Sequence, residues 1–497
     1  MAFPKSAEQS TESKSFIVYH ILAAIVIGFA CLARFQYIFV ERLWSDEALY
    51  AWLAKRIYSD PKIIFSSEAF SSFHPPLFPS ILAIFHNFFP PETACRLVVF
   101  IFYLGGIWAI YSLGNKIKNR TVGLFCALGL AFQTNYFFYS TMILIDVPLM
   151  VISCWFMFML VVYQKTEKPK HAIILTFLGI VIILLKSSGV AILFFMAIYF
   201  LFHDRHSGII KNCRKFMAPF LSILFVWFLL RQLYHVLNIE PPQLAVGRII
   251  KPRKEWLLYM GTIVELLKSP NIIVFFLYGL FMVLFRESWP RKFLLLIWFL
   301  LYFVAMSYSP EYDLRYNLLL FPPMLLIAGI GFESMLTAFK KWQVFLKLIF
   351  IILVAISLLN TKGLIDHFAR IAVGYKIAGE VVKEIVQPDA LVIASSERQI
   401  RYYSDINYEE FGGQMVVFRQ EKKDFEEILK NNQNVVLVVD RWEELQPLWS
   451  KPFTLDTLNY LQSLKFQLIS VVYKTIETSK GKSSREPVVW ILQRTKI

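Results

Sequence analysis

Apolar residues run along the chain in long blocks separated by short polar turns. The blocks fall near 16–40, 96–114, 121–139, 147–163, 171–185, 189–203, 216–236, 271–285, 293–308, 316–338 and 343–359. Blocks of this length and apolarity predict an α-helical polytopic membrane protein. The expected number of transmembrane helices is about 11, within a range of 11–13. A shorter block, 76–89, would cover only about 21 Å as a helix against roughly 30 Å of hydrocarbon, so it reads as interfacial or re-entrant. After Asn360 the pattern changes. "GYKIAGEVVKEIVQ" and "EKKDFEEILK" carry helical periodicity, while "ALVIAS", "QMVVF", "NVVLVVD", "FQLISVVYK" and "EPVVWIL" read as strands. That alternation predicts a small α/β domain outside the membrane.

Basic residues orient the helices. With the N-terminus inside and 76–89 not spanning, the inside loops hold Lys116, Lys118 and Arg120; Lys165, Lys168 and Lys170; Arg205, Lys211, Arg214 and Lys215; Arg286, Arg291 and Lys292; Lys340 and Lys341. The short outside turns carry Lys186 and Arg315. Counting 76–89 as a span would put every later basic cluster outside, against the positive-inside rule. The resulting division is a cytoplasmic tail at 1–15, a membrane domain at 16–360 with a first outer loop at 41–95, and an extracytoplasmic α/β domain at 361–497. The expected location is the cytoplasmic (inner) membrane, with the functional residues facing outward.

Composition narrows the class. Hydrophobic residues make up 57% and charged residues 18%, which excludes an ordinary soluble enzyme or a disordered chain. The net charge of +15 does not signal nucleic-acid binding. Of 51 basic and 36 acidic residues, 19 and 18 lie in 361–497, so the surplus belongs to the membrane part. The five cysteines show no close-spaced pair, so neither a disulfide framework nor a zinc site is expected. The first apolar block lacks a small-residue cleavage site and reads as a retained anchor. No metal site or cofactor is expected.

Candidate chemistry sits in the outer loops. In "ERLWSDEALYAWLAKRIY", Ser45 is a plausible N-cap that places Asp46 and Glu47 in the first turn of an amphipathic helix. Acids there favour the helix dipole, and a carboxylate so placed also suits a general base. In "SSFHPPLFPSILAIF", His74 precedes two prolines; it either just opens the helix or donates a hydrogen bond to a phosphate or an acceptor. Asp146 opens a span as an N-cap or as a site residue. Lys186 lies at a turn between two short spans, where it either snorkels to the interface or holds a lipid phosphate. Arg315, beside Tyr316, suits phosphate binding or a structural pair with Glu311 or Asp313. Together these residues form what a transferase with a lipid-phosphate substrate requires. Cations hold the phosphate, and a carboxylate deprotonates an acceptor hydroxyl.

The order of "SDEALYAWLAKRI", "HPPLFPSIL", "ILIDVPLM", "LLKSSG" and "LRYNLLLFPPMLLIAG" resembles the GT-C superfold glycosyltransferases that use polyprenyl-phosphate sugars, among them protein O-mannosyltransferase-like proteins and bacterial aminoarabinose transferases. The resemblance covers most of 16–360. It implies that Asp46 is the essential carboxylate with Glu47 beside it, and that Lys186 and Arg315 bind the donor phosphate. His74 stands where aminoarabinose transferases usually carry a lysine, closer to the "HPPL" of the mannosyltransferases. The implied reaction is an inverting transfer from a polyprenyl-phosphate sugar to a hydroxyl on a lipid, glycan or protein, with membrane lipids as surroundings and no nucleic-acid partner. Two rivals remain. A lipid-diphosphate-dependent oligosaccharyltransferase or ligase would often need a divalent metal held by several acids, for which Asp46, Glu47 and Asp146 are a thin set. A transporter or flippase would expect charges along the spans and matching halves.

Overall fold

The computed structural model describes residues 21–22, 24–39, 42–66, 69, 74–202, 209–237, 270–307, 314–371, 373–408, 411–441, 446–477 and 483–494. The expected cytoplasmic tail lies outside the described residues, as does 238–269, between the apolar blocks 216–236 and 271–285. The chain divides into two compact units. One takes the chain up to Phe39 and Arg56–Gly363; the other takes Val40–Lys55 and Leu364–Ile497.

The first unit is helical. It holds α1 (Ala24–Phe39) and, after α2 (Ser45–Ser59), α3 (Leu77–Phe85), α4 (Pro91–Ile117), α5 (Arg120–Ala131) and α6 (Thr134–Ser140). Then follow α7 (Asp146–Thr166), α8 (Pro169–Leu185), α9 (Ala191–Phe202), α10 (Ile209–Val236), α11 (Pro270–Phe285), α12 (Trp289–Ser307), α13 (Phe321–Ala338) and the start of α14 (Gln343–Ile371). Pro91 and Pro169 open α4 and α8, where a missing N–H costs nothing. With 9 residues, α3 is about 14 Å long and too short to span.

Among the described residues, 5 helices are long and apolar enough to cross a membrane, or 6 if one bent pair counts as a span. The bent pair is α5 with α6, where the sequence predicts one run over 121–139. A 58° bend separates them. Gln133 causes the restart, because its side chain accepts from the Tyr136 N–H at 2.6 Å and so caps α6. Shorter apolar helices include Ala24–Phe39, Pro169–Leu185, Ser188–Phe202 and Ile273–Phe285.

Burial separates inner from outer helices. In Leu314–Ala338 89% of the most apolar stretch is buried, against 17% in Phe216–Val236 and in Lys340–Asp366. The outer helices show Phe225, Val344 and Ile351 to their surroundings, an apolar coat that calls for an apolar solvent. α11 and α13 cross with their backbones in contact. A Cβ on Gly279 would overlap the Ile327 carbonyl, and one on Gly331 would lie 2.8 Å from Gly279 Cα. Small residues at such a crossing permit the close approach.

The second unit contains a five-stranded sheet in the order β2-β1-β3-β5-β4. Strands β1 (Leu391–Ala394), β2 (Gln414–Val417) and β3 (Val435–Asp440) are parallel; β4 (Gln467–Glu477) and β5 (Ser483–Arg494) complete it antiparallel. Each of the five runs read as a strand forms one. β1 and β3 are buried at every position, as expected of parallel strands covered on both faces. Helices α15 (Tyr375–Ile385) and α16 (Glu397–Ser404) contribute Val382 and Ile400 to one core, with Val438 and Ile491. Helices α17 (Lys422–Asn431) and α18 (Leu455–Ser463) contribute Phe425 and Leu461 to the other, with Leu437 and Leu492. The sequence pattern ends the membrane part at residue 360; α14 continues to Ile371, and the division between units falls after Gly363.

Candidate functional site

In the first unit, Asp146 is the first residue of α7, following Ile145 at the capping position. Its side chain makes an ion pair in place of a cap. Lys186, directly after α8, donates to Asp146 Oδ1 at 2.7 Å. Arg315, in a 3-10 turn at Leu314–Leu320, brings Nε to 3.8 Å from Asp146 Oδ2. The Tyr316 ring lies under both cations, 4.6 Å from Lys186 Nζ and 5.3 Å from the Arg315 guanidinium. Asp146 is 4% exposed and Lys186 8%, so neither reaches out to solvent. His74, half-buried ahead of α3, lies within electrostatic reach of Asp146. Glu311 and Asp313, the alternative partners of Arg315, lie outside the described residues.

Two further arginines hold the loop that presents Asp146. Arg34 in α1 donates to Ser140 Oγ at 3.2 Å and to the Ser140 carbonyl. Arg96 in α4 donates to the Thr141 carbonyl at 2.5 Å. Both are buried. They meet the carbonyl end of α6, where a positive charge complements the helix dipole and orphan acceptors need donors.

Asp46 and Glu47 belong to the second unit. The helix starts at Ser45, so the capping position is Trp44 rather than Ser45. Glu47 is 3% exposed, and its Oε2 accepts from the Trp44 N–H at 2.8 Å, the reach-back of a capping box. Asp46 instead pairs with Arg398 of α16, Oδ1 to Nη1 at 2.5 Å. Two more contacts join the same helices: Arg401 lies 5.3 Å from the Trp52 ring, and Lys55 pairs with Asp405. The sequence pattern places 41–95 with the membrane helices; these contacts place 40–55 with 364–497. Elsewhere in this unit, Asp440 at the end of β3 accepts from Ser396 Oγ and, at 3.2 Å, from Tyr375 OH. Burial, and then the Asp440 charge, push the Tyr375 phenol well above its ordinary pKa, so it stays a neutral donor. Among the described residues, no three His, Cys, Asp or Glu side chains are grouped to hold a metal ion.

Residues 73–235 match the family model described as dolichyl-phosphate-mannose-protein mannosyltransferase. The structure is similar to that of ArnT from Cupriavidus metallidurans bound to undecaprenyl phosphate, with TM-score 0.60 and 13% identity over 96% of this chain and 98% of that one. It is also similar to the oligosaccharyltransferase AglB from Archaeoglobus fulgidus in complex with an inhibitory peptide and a dolichol-phosphate, with TM-score 0.61 and 11% identity over 95% and 74%. The mycobacterial arabinofuranosyltransferase AftD gives TM-score 0.58 and 11% identity over 96% of this chain and 40% of that one. No curated protein matches the sequence.

The chain carries the GT-C fold.

Within this GT-C chain the matched segment contains His74, Asp146 and Lys186, while Asp46, Glu47, Arg315 and Tyr316 lie outside it. The structure gathers His74, Asp146, Lys186, Arg315 and Tyr316 in one unit and sets Asp46 and Glu47 in the other. The sequence reading passed over Arg34, Arg96 and Arg398. Arg34 left a signal, a charge inside an apolar block, which demands a buried partner. Arg398 left none, since a basic residue near the start of a solvent-domain helix is ordinary. Chemically, Lys186 and Arg315 are both of a type that binds anions, and here both face one buried carboxylate. A phosphate oxygen can take the place of a carboxylate oxygen on lysine or on an arginine fork.

Proposed function

We propose that this protein is a membrane-embedded glycosyltransferase that moves a sugar from a polyprenyl-phosphate donor to an acceptor hydroxyl, with inversion. The observation that carries the reading is the Lys186–Asp146–Arg315 cluster, in which two cations meet one buried carboxylate at the ends of apolar helices. The GT-C fold and the mannosyltransferase match at 73–235 support it. So do the lipid phosphates bound in the similar ArnT and AglB structures.

In this reading the lipid tail stays in the bilayer, and Lys186 and Arg315 hold the donor phosphate. His74 donates to that phosphate or to the acceptor. Asp46 is the general base: it takes the acceptor proton as the new bond from the acceptor oxygen to the anomeric carbon forms. The bond from that carbon to the phosphate oxygen breaks, and polyprenyl phosphate leaves with the electron pair. Phosphate is a good leaving group, so no second acid is required. Glu47 closes the N-terminus of its helix. The reaction takes place at the outer face of the cytoplasmic membrane, with a lipid, glycan or protein hydroxyl as acceptor.

The test supplies purified protein with polyprenyl-monophosphate sugars and, in parallel, polyprenyl-diphosphate sugars, and follows the lipid released. Release of polyprenyl monophosphate is expected. Turnover of the diphosphate series alone would replace this reading with that of a ligase, and none with either series would remove the enzyme reading. Orientation is tested by labelling a cysteine inserted near Ser479 in intact cells; reaction only after permeabilisation would reverse the topology.

A further inference from the structure

We infer that Asp146 sets the charge selectivity of the donor site: it lessens the site's preference for the doubly charged phosphomonoester that transfer leaves behind over the singly charged phosphodiester donor. The inference rests on the donor-site reading above.

The reaction changes the charge of the lipid. A polyprenyl-phosphate sugar is a diester with one negative charge. The released polyprenyl phosphate is a monoester whose second proton leaves near pH 6, so above neutrality it carries about two charges. Any site that recognises phosphate by cations alone therefore binds product better than donor. That is a poor arrangement for turnover, because tight product slows the next round.

Asp146 opposes this bias. One carboxylate engages both cations, Lys186 at 2.7 Å through Oδ1 and Arg315 at 3.8 Å through Oδ2. Tyr316 faces the same two cations and adds no formal charge. His74 is the other titratable group within reach of Asp146 among the described residues. A phosphate approaching Lys186 and Arg315 meets the Asp146 charge at the same place. Repulsion grows in proportion to ligand charge, so it penalises a dianion twice as much in free energy as a monoanion. The burial of Asp146 and Lys186 limits water screening, which keeps that difference large.

The proportionality gives a signature that a merely structural counter-ion would not. Removing the Asp146 charge raises affinity for any anion, since Lys186 is no longer engaged. If the charge also selects, the gain for the dianion is about the square of the gain for the monoanion. A tenfold gain for a diester then goes with roughly a hundredfold gain for a monoester.

The test uses the full chain in nanodiscs at pH 8, with undecaprenyl phosphate as the dianion and its methyl diester as the monoanion. Wild-type protein is expected to prefer the monoester over the methyl diester less strongly than Asp146→Asn does. Asp146→Asn is expected to shift the ratio toward the monoester by about tenfold, and Asp146→Glu to leave it near the wild-type value. In turnover, Asp146→Asn should be more strongly inhibited by added undecaprenyl phosphate. A smaller gain for the monoester than for the diester in Asp146→Asn overturns the inference. Equal gains for both lipids in Asp146→Asn also overturn it, making Asp146 a structural counter-ion while the donor site stands. If neither lipid binds wild-type protein, the donor-site reading falls, and this inference with it.

Discussion

Arg398 reaches Asp46 with a 2.5 Å contact between Nη1 and Oδ1, joining residues 352 positions apart in the chain. The candidate base is thus held by a side chain of the α/β unit. Trp52–Arg401 and Lys55–Asp405 repeat the connection further along the same two helices. A guanidinium bound to one carboxylate oxygen fixes the rotamer of the acid, and catalytic groups work only within a narrow range of geometry.

Asp46→Asn is expected to lower turnover by about 10²–10⁴, the usual loss for a general base, with donor binding intact. As a mere helix-end acid, Asp46 would contribute only a few tenths to about 1 kcal/mol of stability and nothing to rate. Turnover near the wild-type rate would move the search for the base to Glu47 or Asp146. Arg398→Ala should also lower kcat with little change in donor KM, and Arg398→Lys should restore part of it. Asp405→Ala, which loosens the same helix pair without touching Asp46, is the control. If it matches Arg398→Ala, the arginine only docks the helices.

Lys186→Ala and Arg315→Ala are expected to act on donor affinity before rate. A charge-assisted phosphate contact is worth about 1.5–3 kcal/mol, so each loss should raise the donor Kd by roughly ten- to hundredfold. Arg315→Lys should recover less than full affinity, because a point charge does not reproduce the guanidinium fork. Donor titration of each variant, after its thermal stability has been checked, gives the answer. Unchanged affinity in both would move the phosphate elsewhere.

Gly279→Leu is expected to prevent or strongly impair folding of the first unit. Its side chain would have to occupy space held by the Ile327 carbonyl on α13, and backbone cannot move aside as a flexible side chain can. Gly28→Ala, where nothing lies within 4 Å of the new Cβ, serves as the control and should melt as wild type. A well-folded Gly279→Leu protein with an unchanged melting temperature would contradict this packing.

Glu287, in the turn between α11 and α12, gives a pH dependence. Burial raises its pKa, but hydrogen bonds from Lys118 and Arg291, the latter at 3.1 Å, outweigh burial and hold it below the ordinary carboxylate value. A depressed folded pKa contributes stability above the unfolded pKa of about 4.3, and that stability is lost as pH falls through the folded value. Melting temperatures of wild type and Glu287→Gln should therefore converge on acidification below about pH 4 and separate above about pH 5. A constant gap across that window would remove the linkage.

The apolar blocks by themselves determined that the chain is a helical membrane protein, because the length of an apolar run and the thickness of a bilayer are both local quantities. The strand runs of 391–440 and 467–494 were legible for a similar reason, since short apolar runs such as "LVIA" and "VVLVVD" read as strands without reference to any partner, while their parallel pairing came only from the structure. The bend after Ala131 was not legible from hydropathy, because it depends on one side-chain cap from Gln133 inside an otherwise apolar block. The candidate residues were visible as types. Which of them meet was decided by tertiary structure alone: Asp146 with Lys186 across 40 positions, and Asp46 with Arg398 across 352. Ion pairs form where folding brings charges together and excludes water, and neither condition is written in local spacing. For the same reason the sequence could list two acids side by side in one helical turn, and only the structure separated Glu47, turned back to close its helix, from Asp46, turned toward an arginine.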